Sequence, residues 1–153
     1  MGIENESSTY FGNGEWTAKF VKTINSPWVK VTWDPANEVH DTDWGGPAFP
    51  EGFEWVKDLI IHVHLKDAVR YGAQGKPECV AVGEGDINYW GQLKALKDMN
   101  YEGYVSLETH WRGGAKKLSE ELVNVPGGAA YTAAAEESSK YCLRNLYKIL
   151  SSL

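Results

Sequence analysis

The 153-residue sequence predicts an α/β domain built on parallel strands, and three observations carry that prediction. Runs rich in β-branched and aromatic residues alternate with stretches of helical periodicity. The connections are long enough to hold the crossover helix that a parallel strand pair requires. Reactive side chains recur at the C-terminal ends of the predicted strands, where ligands gather in parallel α/β folds.

Taken in order, residues 3–5 are too short to assign alone and lead into a polar, glycine-rich run at 7–14. Trp16, Phe20, Val21 and Ile24 fall at helical spacing, which predicts a helix over about 15–25, stopped by Asn25-Ser26-Pro27. Trp28-Val29-Lys30-Val31-Thr32-Trp33 reads as a strand that ends at Asp34-Pro35, because proline has no N–H for the ladder. The next stretch, with Asn37, His40, Asp41, Asp43 and Trp44, reads as a loop, after which Pro50 is placed to open a short helix over 51–57. Residues 59–65 form a strand by composition, and 68–85 a long glycine-rich connection. Asp86 is the expected N-cap of a helix reaching Met99. Residues 104–108 form the last strand and finish on Glu108. A long helix is expected over 129–150, with Tyr131, Ala135, Ser139, Cys142, Leu146 and Ile149 on one stripe.

Composition narrows the function classes. Hydrophobic content of 42% with seven Trp, eight Tyr and four Phe excludes a disordered chain, and no repeat or linker divides the sequence, so 1–153 reads as one domain. A net charge of -6 with neither sign gathered into a run argues against nucleic acid and anionic membrane as partners. No window approaches the roughly 18 apolar residues of a membrane span. The start, Met1-Gly2-Ile3-Glu4-Asn5-Glu6, has neither the basic nor the apolar part of a signal peptide, so a cytoplasmic location is expected. Cys79 and Cys142 lack metal-ligand spacing and are read as reduced packing residues.

Four residues at four strand ends form the candidate constellation: Glu4, Asp34, His64 and Glu108. Singly, each has an ordinary explanation. An aspartate before proline is most often a turn residue or helix cap, a strand-end glutamate is usually solvated, and a histidine in a half-apolar strand commonly lines a core or rim. Together they suit a divalent cation that prefers oxygen with one imidazole, such as Mn²⁺, Mg²⁺ or Co²⁺, with Zn²⁺ compatible. Such an ion can hold two neighbouring oxygens of a sugar and stabilise an enediolate as a proton leaves carbon, one carboxylate serving as base and another as acid. His62 stands two residues before His64 and therefore shares its face. Trp33, Trp44 and Trp111 lie near these ends, with core packing the preferred reading for Trp33.

The runs His62-Val63-His64-Leu65-Lys66-Asp67, Gly83-Glu84-Gly85-Asp86-Ile87 and Tyr101-Glu102-Gly103-Tyr104-Val105-Ser106-Leu107-Glu108 resemble the xylose isomerase-like TIM barrel superfamily, in its sugar phosphate isomerase/epimerase branch. Ile3-Glu4-Asn5-Glu6 and Asp34-Pro35-Ala36-Asn37 look like that family's fifth and sixth strand ends. The resemblance, over roughly residues 2–110 in the expected order, implies the C-terminal half of a (β/α)₈ barrel, strands five to eight with their helices. It implies Glu4, Asp34, His64 and Glu108 as metal ligands, and Glu4 and Glu108 as the catalytic proton-transfer pair. Arg70, six residues past His64, stands where the ketose epimerases bind substrate; Asn37 and His62 are further substrate-binding candidates. Asn37 occupies a position where the epimerases often carry a second histidine, which leaves the identity of the sugar open. His40 and His110 are spare candidates. The related endonuclease branch needs further His and Asp ligands that are not evident here.

A complete barrel of this kind takes about 250 residues. A four-stranded parallel sheet alone is expected to expose two long apolar edges and its inner face, so self-association as a homodimer or higher oligomer, or pairing with a separate N-terminal half, is the expected remedy. The sequence-based expectation is a divalent-metal-dependent isomerase or epimerase acting on a ketose or related polyol. An inosose dehydratase-like lyase, or a catalytically inactive half-barrel assembly module, are the alternatives.

Overall fold

The computed structural model describes residues 1–113 and 135–153. Four parallel strands, β1 (Gly2–Glu4), β2 (Lys30–Trp33), β3 (Ile60–Leu65) and β6 (Tyr104–Leu107), form one sheet in the order β1-β2-β3-β6. Each strand lies beside the next strand of that sheet in the chain, as expected for successive β/α units. The register pairs Glu4 with Thr32, Thr32 with His62 and His64 with Ser106, with a shift between Val31 and Thr32.

Strand alternation divides the side chains between two faces. Val31, Trp33, Val63 and Leu65 are buried on the helix-covered face, with Ala18 and Val21 of helix α1 (Gly14–Ile24) and Phe53 and Val56 of α3 (Phe53–Val56) in the same core. The other face carries Lys30, Thr32, His62, His64 and Ser106. That inner face is mainly polar, with Tyr104 also on it, and the edge strands are three and four residues long, so among the described residues the expected long apolar edges are not found. Exposed apolar surface is spread over many side chains along the chain, Tyr10, Trp28, Tyr71 and Tyr104 the most exposed among them.

Local chemistry explains the helix ends. Asn13 caps α1 by accepting from the Trp16 N–H at 3.0 Å, and Asn25 ends it in the left-handed region at φ 48°. Helix α2 (Pro35–His40) occupies a stretch that reads as loop; Asp34 caps it and proline, needing no N–H there, takes the first position. Pro50 does not open the next helix. It lies, after a cis bond to Phe49, inside a π-type turn over Ala48–Gly52, and α3 starts afterwards. The long connection folds into a small antiparallel ladder, β4 (Asp67–Val69) with β5 (Glu78–Val80). The cap of α4 (Tyr89–Asp98) is Asn88, not Asp86, whose carboxylate instead accepts from the Arg70 N–H at 2.7 Å. The last helix, α5 (Ala135–Leu150), buries Ser138 and Cys142; the expected residues 129–134, including Tyr131, lie outside the described residues. Among the described residues, no helix is long and apolar enough to cross a membrane.

One buried carboxylate ties α2 to α1. Glu38 is fully buried, its Oε2 accepts from the Gly14 N–H at 2.7 Å, and its Oε1 has no hydrogen-bond partner among the described residues. Gly52 approaches so closely that any side chain there would collide with Oε1. Burial pushes the Glu38 carboxyl up to about 8, against the pull of the Gly14 bond. A carboxyl raised on folding stabilises fully below its unfolded pKa, and that contribution is lost as pH rises through about 8. The melting temperature is therefore expected to fall from about pH 4.5 to about pH 8, with at most about 5 kcal/mol of stability lost over that whole window. Glu38→Gln should flatten this slope, as measured by thermal denaturation across the pH range.

Candidate functional site

Glu4 closes β1, Asp34 directly follows β2, His64 lies near the end of β3 and Glu108 directly follows β6. Because the strands are parallel and neighbouring, these four ends face one region. One ligand atom from each residue can be chosen so that all four lie within 4.8 Å of one another. His64 Nδ1 stands among the carboxylates, 3.1 Å from Glu4 Oε1, 3.4 Å from Glu108 Oε2 and 3.9 Å from Asp34 Oδ2.

Asp34 is the most tightly built member. Its backbone N–H donates to Asn5 Oδ1 at 2.8 Å and its carbonyl accepts from Asn5 Nδ2 at 2.7 Å. Oδ1 accepts from the N–H groups of Ala36 and Asn37, at 2.8 and 3.2 Å, and so caps α2. Oδ2 faces the cluster. There it is ion-paired with Lys66 Nζ at 2.7 Å. The ordinary explanation and the functional one thus both hold, one on each oxygen.

Two further side chains complete the cluster. Asn37 Nδ2 donates to Glu4 Oε1 at 3.2 Å and to the Asn5 carbonyl at 2.8 Å, placing this residue against Glu4. Lys66 Nζ bonds Glu108 Oε2 at 3.0 Å, and the Lys66 backbone is pinned at both its N–H and its carbonyl by the buried Tyr89 hydroxyl. His62 Nε2 meets Ser106 Oγ at 2.7 Å, with its ring edge-on to His64 at 5.2 Å. Arg70 spends its described guanidinium hydrogen bonds on the backbone carbonyls of Glu38, Asp41 and Gly46, and it lines a cavity of about 240 Å³ with Val39, Tyr71 and Asp86.

The charges respond to this crowding. Hydrogen bonds to Glu108 and then Glu4 push His64 up to about 10. Burial pushes Asp34 up to about 6 against the attraction of Lys66. Hydrogen bonds from His110 and His64 hold Glu108 well below the usual carboxylate range. Burial opposes the Lys66 ammonium, yet Asp34 and Glu108 outweigh it and hold that group above its ordinary value. Three carboxylates, one of them fully buried, together with one imidazole, make a donor set that fits an oxygen-preferring divalent cation.

Sequence reasoning missed Lys66, Asn5 and Tyr89. Lys66 is two residues past His64 in an extended run, a spacing that signals a shared side, whereas Asn5 and Tyr89 carry no such signal. The packing roles expected for the cysteines and for Trp33 divide. Trp33 is fully buried and donates to Gln92, and Cys142 is buried. Cys79 Sγ lies 3.5 Å from His40 Nε2, and hydrogen bonds to His110 and His40 outweigh burial to bring its thiol down to about 7. Cys79 is therefore a polar contact rather than a packing residue.

Residues 1–144 match the family described as Xylose isomerase-like TIM barrel. The chain belongs to that family. An uncharacterised protein of Methanocaldococcus jannaschii is 35% identical over 105 residues, 68% of this chain and 33% of that protein. The Escherichia coli protein named "Putative L-ribulose-5-phosphate 3-epimerase SgbU" is 27% identical over 125 residues, 80% of this chain and 42% of that protein. A solved D-tagatose 3-epimerase-like protein shares the fold, with a TM-score of 0.56 at 22% identity over 99% of this chain and 48% of its own. The chain thus spans less than half the length of these three proteins.

Two outcomes check this construction. Imidazole titration by NMR should find His64 still protonated at pH 8, with Glu108→Gln lowering its pKa by about one unit or more. Asn5→Ala removes both bonds that fix the Asp34 backbone and should cost about 2–3 kcal/mol in urea denaturation.

Proposed function

We propose that this chain is the C-terminal half of a cytoplasmic xylose isomerase-like barrel that isomerises or epimerises a ketose or related polyol. The observation that carries the reading is the convergence of Glu4, Asp34, His64 and Glu108 from four parallel strand ends. These four would hold a divalent cation, with Mn²⁺, Mg²⁺ or Co²⁺ favoured by the oxygen-rich set and Zn²⁺ compatible. When bound, such an ion supplies Lewis acidity that draws electron density from adjacent substrate oxygens and acidifies the hydrogen on the neighbouring carbon.

The chain's own residues then move and position. Glu4 and Glu108 are the proton carriers; one takes the proton from carbon and the other returns a proton from the opposite side. Asn37 aims Glu4 through its 3.2 Å hydrogen bond. His62, on the same polar face as His64, is assigned to a substrate hydroxyl. Arg70 is assigned to substrate binding from the 38–46 segment that its guanidinium holds in shape. The small-molecule substrate needs a pocket closed by further strands, and we assign that closure to a second half barrel meeting β1 and β6. The second copy of this chain is the simplest source, since its β1 could extend the sheet at β6 and its β6 at β1.

Deuterium incorporation at the carbon next to the carbonyl of a ketose in D₂O, with Mn²⁺ present, tests the chemistry. Exchange without loss of water is expected, and Glu4→Gln and Glu108→Gln should each reduce it about a hundredfold or more. Release of a dehydrated product would instead favour the lyase chemistry. Light scattering should give about twice the 17.0 kDa of the chain; a stable monomer would sink the self-completed barrel.

A further inference from the structure

Lys66 sits in the cluster as a fixed positive charge. Its side chain is only 5% exposed and its Nζ lies 2.7 Å from Asp34 Oδ2 and 3.0 Å from Glu108 Oε2, so it touches two of the four prospective ligands. The Tyr89 hydroxyl donates to the Lys66 carbonyl at 2.6 Å and accepts from its N–H at 3.1 Å, which fixes the backbone from which the side chain reaches inward. Such an arrangement differs from a surface lysine that drifts among carboxylates, because both ends of Lys66 are held.

Counting formal charge gives this placement a meaning. The three carboxylates bring three negative charges, an imidazole that lends its lone pair brings none, and Lys66 returns one positive charge. Summed over these five groups alone, with His110 lying beyond them on the other oxygen of Glu108, the net charge of -2 is balanced by a divalent ion and overbalanced by a trivalent one. Without the lysine the same donors would balance a trivalent ion, which hard carboxylates otherwise hold more tightly than a divalent one. Coulomb's law makes the discrimination large: at an effective dielectric constant of about 20, a unit charge about 4 Å away changes affinity by well over tenfold for each unit of ion charge.

We propose that Lys66 is a specificity-determining residue of this site, selecting a divalent over a trivalent cation by occupying one unit of its charge balance. This rests on the metal reading above and adds to it the charge of the accepted ion. Lys66 is not required as a ligand, and its effect is separable from the donor atoms, all of which a substitution at residue 66 leaves in place.

The test uses Mn²⁺ and Tb³⁺ as probes on the whole chain, with Mn²⁺ affinity from calorimetry and Tb³⁺ affinity from sensitised luminescence. The wild-type protein should hold Mn²⁺ at least as tightly as Tb³⁺. Lys66→Met should raise the Tb³⁺-to-Mn²⁺ affinity ratio at least tenfold, and Lys66→Arg, which keeps the charge, should leave the ratio within about threefold of wild type. A folded Lys66→Met protein with an unchanged ratio would overturn the proposal. So would a wild-type protein that prefers Tb³⁺ by a hundredfold, a result that needs no variant to fold. Failure of the wild type to bind either ion would overturn the metal reading itself, and is thereby distinguished from Mn²⁺ binding with an unmoved ratio.

Discussion

The carboxylate of Asp34 is the constraint on which the rest of this molecule turns. It is fully buried, and its two oxygens are committed to different tasks: one terminates β2 by capping α2, the other enters the cluster beside Lys66. Burying a carboxylate is costly unless its charge is met. Here that cost is offset by helix N–H groups and by an ammonium whose own burial depends on the same partnership, while Asn5 clasps the backbone. Losing the helix cap or the Asn5 clasp would disturb strand end and helix start together.

Much of this was legible from residue order. Parallel β/α units place strand ends side by side, so four acceptor-rich ends were bound to converge if the alternation of elements was right, and Glu4, Asp34, His64 and Glu108 do converge. The helix over 15–25 and the strand ending at Trp33 follow from periodicity and from the stops at Asn25 and Pro35. Resemblance to the family supplied the roles; the convergence itself is geometry.

What residue order concealed has physical reasons. Helix α2 has six residues, too few to display a period, and only its aspartate-proline start betrays it. The β4–β5 ladder is three residues per strand, stabilised by contacts such as Asp67 accepting from the Gly83 and Gly85 N–H groups, which no local pattern announces. Asp86 resembles a cap as well as Asn88 does; tertiary competition for the Arg70 N–H decides between them. The Cys79–His40 contact joins residues 39 apart and is invisible until the chain is folded.

The polar face of the sheet has a bearing on assembly. Lys30 and Thr32 alternate with buried Val31 and Trp33, and His62 already spans two strands to reach Ser106. A greasy concave surface would adhere to many partners at low discrimination. In the proposed self-completed barrel, a face of donors and acceptors would reward only a counterpart that can answer each group or trap water between them, so a second half would have to match chemistry as well as shape. Fidelity of closure would then be set by hydrogen-bond pairing, and faulty pairings would be rejected because they strand polar groups away from water.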